Sequence, residues 1–195
     1  MKKIISLLLV SVIALGTIVN NNINNSTKKK VNYVHLDLAV NPKNMKAYVG
    51  LVDYVFVGTI TEYIGNFDSN SNYMPFSKYK IEVLQNLKGN LTLNNTVEVK
   101  KYGGYDSSGN LVLIDGDTIV DFLPEVGKQY IFMAYGQEDG GLLLAELNGN
   151  VEYNNSQSIS KKSTDSNDLI SKYEDYISEE IKYERTRYKS NYSKN

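Results

Sequence analysis

The chain has 195 residues, with 21 lysines and arginines, 22 aspartates and glutamates, one histidine and no cysteine. The first 16 residues carry two of the basic side chains and none of the acidic ones, so the remainder is mildly acidic. This balance argues against a nucleic-acid-binding protein, which needs a basic face to neutralise phosphates. Without cysteine, disulfides, thiol chemistry and thiolate metal sites are excluded.

The first 19 residues have the pattern of a signal segment. Lys2 and Lys3 precede an uncharged, largely apolar run over 4–19, and Ala14-Leu15-Gly16 is a small-x-small triplet of the kind that signal peptidases accept. As a helix, this run spans roughly 24 Å, less than a hydrocarbon core of about 30 Å. We therefore expect a secreted or cell-surface protein. The alternative is a protein anchored in the membrane by an uncleaved segment over 4–19.

The remaining chain divides into a core domain between two polar segments, followed by a tail. Residues 20–30 and 154–166 are rich in asparagine, serine, threonine and lysine, and such segments bury too little apolar surface to fold alone. We interpret them as a spacer and a linker, and residues 31–153 as one domain. The high content of asparagine, lysine, isoleucine and tyrosine is typical of an AT-rich bacterial genome.

A short helix is predicted near the start of the domain, over 43–52. Met45, Val49 and Val52 lie on one face of it, with Asn41 as the N-cap and Pro42 at the first position.

Strand patterns dominate the rest of the domain. Apolar and polar residues alternate in short runs that are separated by clusters of Asn, Asp and Gly. The predicted strands cover 54–60, 79–83, 97–99, 111–114, 129–135, 142–147 and 151–153. Seven short strands with few helices between them predict a mainly β fold, either an antiparallel barrel or a sandwich.

The tail is predicted to be a C-terminal helix over 167–188. Ile170, Tyr173, Ile177 and Ile181 recur at spacings of three or four and form one narrow apolar stripe. Such a stripe is compatible with docking on the barrel, with pairing to another helix, or with loose attachment.

Two segments carry a resemblance to a known module. Residues 79–89 alternate apolar and polar side chains and run into an apolar-Lys-Gly turn, and residues 127–136 form a second strand that is followed by an Asp-Gly-Gly turn. Together they resemble the netrin-like module, the barrel shared with the tissue inhibitors of metalloproteinases. Over residues 50–150 the resemblance implies a secreted, closed or partly open antiparallel OB-like barrel with flanking helices, which acts by binding.

The resemblance does not extend to the inhibitory chemistry. Those inhibitors chelate zinc through an N-terminal cysteine that disulfides hold in place, and this chain has no cysteine. No residue of this chain therefore inherits an inhibitory role.

Few residues indicate catalysis or metal binding. His35 is expected to have an ordinary surface or packing role. The run from Asp68 begins like a calcium loop, but Tyr73 stands where the sixth position needs glycine and Tyr79 where the twelfth needs glutamate, which favours a solvated loop. We predict no catalytic residue, no metal site and no cofactor.

The candidate binding residues are Tyr102, Gly103, Gly104 and Tyr105, together with Tyr73 and the loop over 65–74 that contains it. Two glycines let the backbone approach a neighbour closely, and tyrosine rings suit binding surfaces, where Tyr54, Tyr63 and Tyr135 are expected to extend the aromatic patch. The simpler interpretation is ordinary strand composition, because tyrosine favours sheets.

The leading hypothesis is a non-enzymatic exported binding module whose partner is a protein or a cell-envelope component. One alternative is an exported hydrolase that uses paired carboxylates from Asp115, Asp117 or Glu138. The other is a membrane-anchored envelope protein whose tail helix pairs with a partner.

Overall fold

The structure, a computed structural model, describes residues 30–38, 40–67, 74–116, 119–153 and 165–194. The signal segment, nearly all of the spacer, the loop 68–73 with Tyr73, Asp117 and nearly all of the linker lie outside the described residues. Predictions about them stay predictions.

Ten strands and two helices make up the described chain. The strands are β1 Val31–His35, β2 Tyr54–Phe67, β3 Phe76–Lys88, β4 Thr96–Tyr102, β5 Gly104–Tyr105, β6 Leu111–Gly116, β7 Ile119–Val120, β8 Gln129–Gly136, β9 Leu142–Leu144 and β10 Asn150–Glu152. The helices are α1 Met45–Leu51 and α2 Asp165–Ser178. The prediction of a mainly β fold with a flanking helix on each side is confirmed.

Five strands close into a barrel in the order β2, β3, β4, β9, β8 and back to β2. The barrel is OB-like, as predicted, but its strands are not all antiparallel. β9 runs parallel to β4, with Val99 opposite Leu142. An odd number of strands cannot alternate in direction around a closed ring, so one pair must be parallel. β1 and β6 of the second, smaller sheet also pair in parallel.

Two apolar clusters lie on the two sides of β2 and β8. Inside the barrel, the buried side chains include Phe56, Ile81, Tyr130 and Phe132. Outside it, Val55, Val57, Ile131 and Met133 pack against α1 and α2. Because β8 and the first half of β2 are buried on both faces, their sequences read as continuous apolar runs rather than as alternating ones.

The short helix α1 begins later than predicted. Its N-cap is Asn44, whose side chain accepts a hydrogen bond from the Ala47 backbone N–H at 3.2 Å. Asn41 instead accepts from the Lys43 N–H at 2.9 Å and holds the preceding turn. Asn41 and Asn44 are both good N-caps, so the sequence alone did not distinguish them.

The tail helix docks on the barrel, which selects the first of the three arrangements left open by its sequence. Tyr173 is buried, and Ile170 and Ile177 pack against the outer apolar cluster. The helix ends at Ser178, however, ten residues before the predicted end. Residues 179–194, here called the C-terminal strap, run in non-helical conformation along the barrel, and Ile181 is 48% exposed.

Contacts with distant backbone explain why the strap leaves the helical path. The Ile181 N–H donates to the Lys46 carbonyl at 3.0 Å, and the Asn191 N–H donates to the Gly140 carbonyl at 2.9 Å. At the far end, Leu91 and Ser193 form an antiparallel bridge, and Tyr192 packs against the barrel core. These hydrogen bonds to distant backbone replace the bonds that a continued helix would make. The spacing of apolar residues in the sequence does not predict them.

Candidate functional site

The outer face of β4 and of the first half of β3 is not covered by either helix. Along β3, Ser77, Tyr79 and Ile81 point inward and are buried, while Phe76, Lys78 and Lys80 point outward and are partly exposed. β4 repeats the alternation, with Glu98, Lys100 and Tyr102 on the outer side. We call this outer surface the β3–β4 face.

Three aromatic side chains lie side by side at one end of the β3–β4 face. Phe67 of β2 is opposite Phe76, and Phe76 is opposite Tyr102. The rings of Phe67 and Phe76 stack with centroids 5.4 Å apart and planes 15° apart, and Lys78 Nζ lies 5.0 Å from the centre of the Phe67 ring. Phe67 is 39% exposed and Tyr102 36%. We call Phe67, Phe76 and Tyr102 the aromatic row.

The charged side chains around the aromatic row form ion pairs across the strands. Lys78 Nζ lies 3.1 Å from Glu98 Oε1, and Lys80 Nζ lies 2.6 Å from Glu62 Oε2. The hydrogen bond to Glu62 raises the pKa of Lys80. The cations of this surface are thus largely neutralised by neighbouring carboxylates.

A polar groove continues from the row toward the other end of the face. Its volume is about 310 Å³. Lys100 Nζ lies 3.4 Å from Asp139 Oδ2 there. The Gly141 N–H and then Lys100 lower the pKa of Asp139. The strap supplies part of the wall through Asn191 and Tyr192.

The Tyr-Gly-Gly-Tyr turn carries the chain from the barrel strand β4 to β5 of the second sheet. A Cβ on Gly104 would lie 1.8 Å from Asn66 Oδ1, and Gly104 has a φ of 146°. The Asn66 amide occupies this space because it pairs with the Tyr105 backbone, accepting from its N–H at 2.7 Å and donating to its carbonyl. Gly104 therefore has a structural role, and Gly103, with a φ of 102°, also adopts a backbone conformation that favours glycine.

The structure distributes the predicted aromatic residues over different regions. Tyr102 joins the aromatic row, and Tyr105 lies nearby on β5 with 37% exposure. Tyr63 is also exposed and contacts Tyr79, with centroids 5.3 Å apart. The expectation for two others is corrected. Tyr54 is buried at one end of the barrel, and Tyr135 is half-buried beneath Arg185, where burial raises its pKa to about 12.

Phe76 was not among the candidate residues, whereas Phe67 lies within the candidate loop 65–74 but was not singled out there. Phe67 ends β2 and Phe76 begins β3, and the sequence signal was the pair of rings at the two ends of one largely polar stretch. Reading that loop as a hairpin would have placed the two rings opposite each other.

The acidic residues considered for catalysis lie on different elements. Asp115 is on β6, opposite His35 of β1, whereas Glu138 is in the turn between β8 and β9. The open concavity that Glu138 lines with Gln137 and Asp139 does not include Asp115. Among the described residues, no group of three or more His, Asp or Glu side chains could hold a metal ion.

His35 lies at a second cavity, beside α1. Its Nε2 is 3.7 Å from Asp37 Oδ1, and both side chains are largely exposed. The cavity has a volume of about 410 Å³ and is also lined by Lys43 and Leu147.

Comparison with protein-family models and with characterised proteins finds no match for this chain. In the part of the chain that the structure describes, neither helix has the length and apolar character needed to span a bilayer.

Proposed function

We propose that this chain is an exported, non-enzymatic binding module related to the netrin-like barrels, and that it binds a protein partner through the β3–β4 face. The observation that carries the proposal is the aromatic row. The exposed rings of Phe67 and Tyr102 flank the partly exposed ring of Phe76 on three neighbouring strands, on a face that the helices leave open. Surfaces of this kind mark interaction sites on soluble domains.

The chemistry of the face favours a protein as the partner. Tyrosine and phenylalanine are enriched at protein interfaces, where they bury a large area at low entropic cost. The lysines beside the row are paired with Glu98, Glu62 and Asp139, so the face lacks the excess positive charge that a nucleic acid requires. A cell-envelope polymer is the second candidate partner.

Site-specific photo-crosslinking on cells of the producing organism tests this proposal. A photoreactive phenylalanine derivative replaces Tyr102, which is 36% exposed, and in a matched control it replaces Tyr188 of the strap, which is 38% exposed. We expect discrete protein adducts from position 102 that excess unlabelled wild-type chain suppresses, and none of these adducts from position 188.

Equal adduct patterns at the two positions would contradict a specific β3–β4 face. Saturable retention of the chain on cells, without protein adducts at position 102, would favour the envelope polymer over a protein partner.

A further inference from the structure

The barrel contains a fully buried lysine–aspartate pair. Lys101 follows Val97 and Val99 on the inward side of β4, and Asp121 lies between β7 and β8. Their side chains are each 1% exposed, and Lys101 Nζ lies 2.7 Å from Asp121 Oδ2. The pair thus bridges two segments that are 20 residues apart in the chain.

An ion pair at this depth is costly, because each charge loses its hydration. Transfer of one proton from the ammonium to the carboxylate removes both charges and leaves a neutral amine against a carboxylic acid. A neutral amine is a nucleophile, and the acid that faces it is an acyl group. An amide between Lys101 and Asp121 can form only through these neutral forms, and the 2.7 Å contact lets the proton pass directly between the two groups.

The Asp121 carboxyl group is held by backbone donors on both oxygens. The Phe122 N–H donates to Oδ1 at 2.8 Å, and the Leu147 N–H donates to Oδ2 at 3.3 Å. Backbone N–H groups aimed at a carboxyl oxygen stabilise the negative charge that develops when a nucleophile attacks its carbon. The Phe122 N–H is placed to do this at Oδ1, while Oδ2 lies next to Lys101.

A third ionisable group adjoins the pair. Glu146 directly precedes Leu147, and it is close enough for the charges of Lys101 and Asp121 to affect its ionisation. Burial raises the pKa of Glu146, with a further upward contribution from Asp121. A carboxyl group within electrostatic reach of the pair can accept a proton and return it during the reaction.

We propose that Lys101 and Asp121 become covalently joined by an isopeptide bond between Nζ and Cγ, with Glu146 as the proton carrier. Nζ of the neutral amine attacks Cγ, and the negative charge develops on Oδ1 beside the Phe122 N–H. Glu146 takes a proton from the nitrogen and passes it to Oδ2, the Cγ–Oδ2 bond breaks, and one water molecule leaves. No oxidant or other reactant is needed, because an ammonium and a carboxylate condense to an amide and water.

Such a bond would give this chain a covalent cross-link, which it cannot form as a disulfide. The sequence has no cysteine, and many exported domains of modest size rely on covalent cross-links. The link would fix the end of β4, next to Tyr102 of the aromatic row, to the segment before β8. The inference does not depend on the proposed function, since it concerns only the folded chain itself.

Peptide mapping by tandem mass spectrometry of the purified full chain tests the proposal. We expect a branched peptide that contains Lys101 and Asp121 and weighs one water molecule less than the sum of its two linear parts. Lys101→Met should abolish the branched peptide, and Glu146→Gln should leave a folded chain in which most of it is lost. Lys88→Met, at the less buried Lys88–Glu180 pair, should retain it.

Linear Lys101 and Asp121 peptides throughout the folded wild-type chain would overturn the proposal, and this result does not require any variant to fold. Complete cross-linking in the Glu146→Gln chain would overturn the role assigned to Glu146. An equally abundant branched peptide between Lys88 and Glu180 would show that burial does not select the pair, which also contradicts the proposal.

Discussion

Asp53 Oδ1 lies 2.8 Å from Arg187 Nη1, although the two residues are 134 positions apart in the chain. The second oxygen of Asp53 lies 2.6 Å from Arg185 Nη2, as an ion pair without hydrogen-bond geometry. The Asp53 side chain is 9% exposed. One nearly buried carboxylate thus holds two arginines of the C-terminal strap against the barrel.

The same two arginines, together with Lys88, donate hydrogen bonds to the backbone carbonyls at the C-terminal end of α1. Lys88 Nζ donates a hydrogen bond to the Val49 carbonyl at 2.7 Å. Arg187 donates to the carbonyls of Gly50 and Val52, at 2.7 and 3.1 Å. Arg185 donates to the Leu51 carbonyl at 2.7 Å. The last carbonyls of a helix lack partners within it, and cations are favourable at that end. The strap is therefore bound to α1 as well as to Asp53.

Asp53→Ala should lower the free energy of unfolding by about 2 kcal/mol, a value between those of exposed and fully buried ion pairs, because both arginines keep some exposure. Urea denaturation measures the change. The control is Lys182→Ala, in a strap cation whose side chain is 81% exposed, and it should shift the free energy by less than about 0.5 kcal/mol. Equal effects of the two changes would contradict the anchoring role of Asp53.

Gly136→Ala should detach the strap, because the added Cβ would lie 1.9 Å from the Tyr188 carbonyl oxygen. Limited trypsin digestion should then cut the variant within 179–194 at concentrations that leave the wild-type strap intact. In the control, Gly141→Ala, the Cβ would meet the end of the Asp139 side chain at 2.9 Å, which can move aside. Unchanged protection of the strap in Gly136→Ala would show that the strap does not require this close approach.

Two tyrosines of the same barrel should differ in how much each contributes to the free energy of unfolding. Tyr79 is 2% exposed in the core, so Tyr79→Ala should cost about 3–5 kcal/mol. Tyr102 is 36% exposed, and Tyr102→Ala should cost less than about 1 kcal/mol. Thermal or urea unfolding distinguishes them. A large loss of stability in Tyr102→Ala would make it unsuitable for testing binding and would assign the ring a packing role.

Much of the barrel was predictable because local patterns encode it. The alternation through Tyr79, Ile81 and Val83 marked a half-exposed strand, and the apolar run ending at Tyr135 marked a strand buried on both faces. The strand β1 was missed because Val31–His35 is short and pairs with residues far along the chain. Its alternation resembles that of a loop with scattered apolar residues.

The candidate site was predicted less completely than the barrel. Tyr102 and Tyr105 were found because they flank two adjacent glycines, an unusual local signal. The ring of Phe76 becomes part of the site through pairing with its two neighbouring strands, which depends on register. The strap could not be predicted, since its residues are fixed by carbonyls of α1 and by Asp53 rather than by their own periodicity.

The lowered pKa of Asp139, in the groove on the β3–β4 face, should make the stability of the folded chain depend on pH. Its pKa is lowered from about 3.8 by the Gly141 N–H and then by Lys100, so the folded chain releases this proton more readily than the unfolded chain. The resulting stability is present above the unfolded pKa and is lost as the pH falls through the folded one. In an NMR titration, Lys100→Met should raise the pKa of Asp139 part of the way back, because the Gly141 donor remains.

The control for this titration is Lys80→Met, which removes the partner of Glu62 and should leave the pKa of Asp139 unchanged. An unchanged pKa of Asp139 in Lys100→Met would mean that the contact between Lys100 and Asp139 has no electrostatic effect in solution.

Competition for surface binding tests the role of the β3–β4 face most directly. Labelled wild-type chain is bound to cells of the producing organism, and unlabelled variants are added in excess. We predict that a variant with serine at Phe67, Phe76 and Tyr102 fails to displace the label, while one with serine at the exposed strap residues Ile181 and Tyr188 displaces it like the wild-type chain. Full displacement by the first variant, with both variants folded, would contradict binding through the aromatic row.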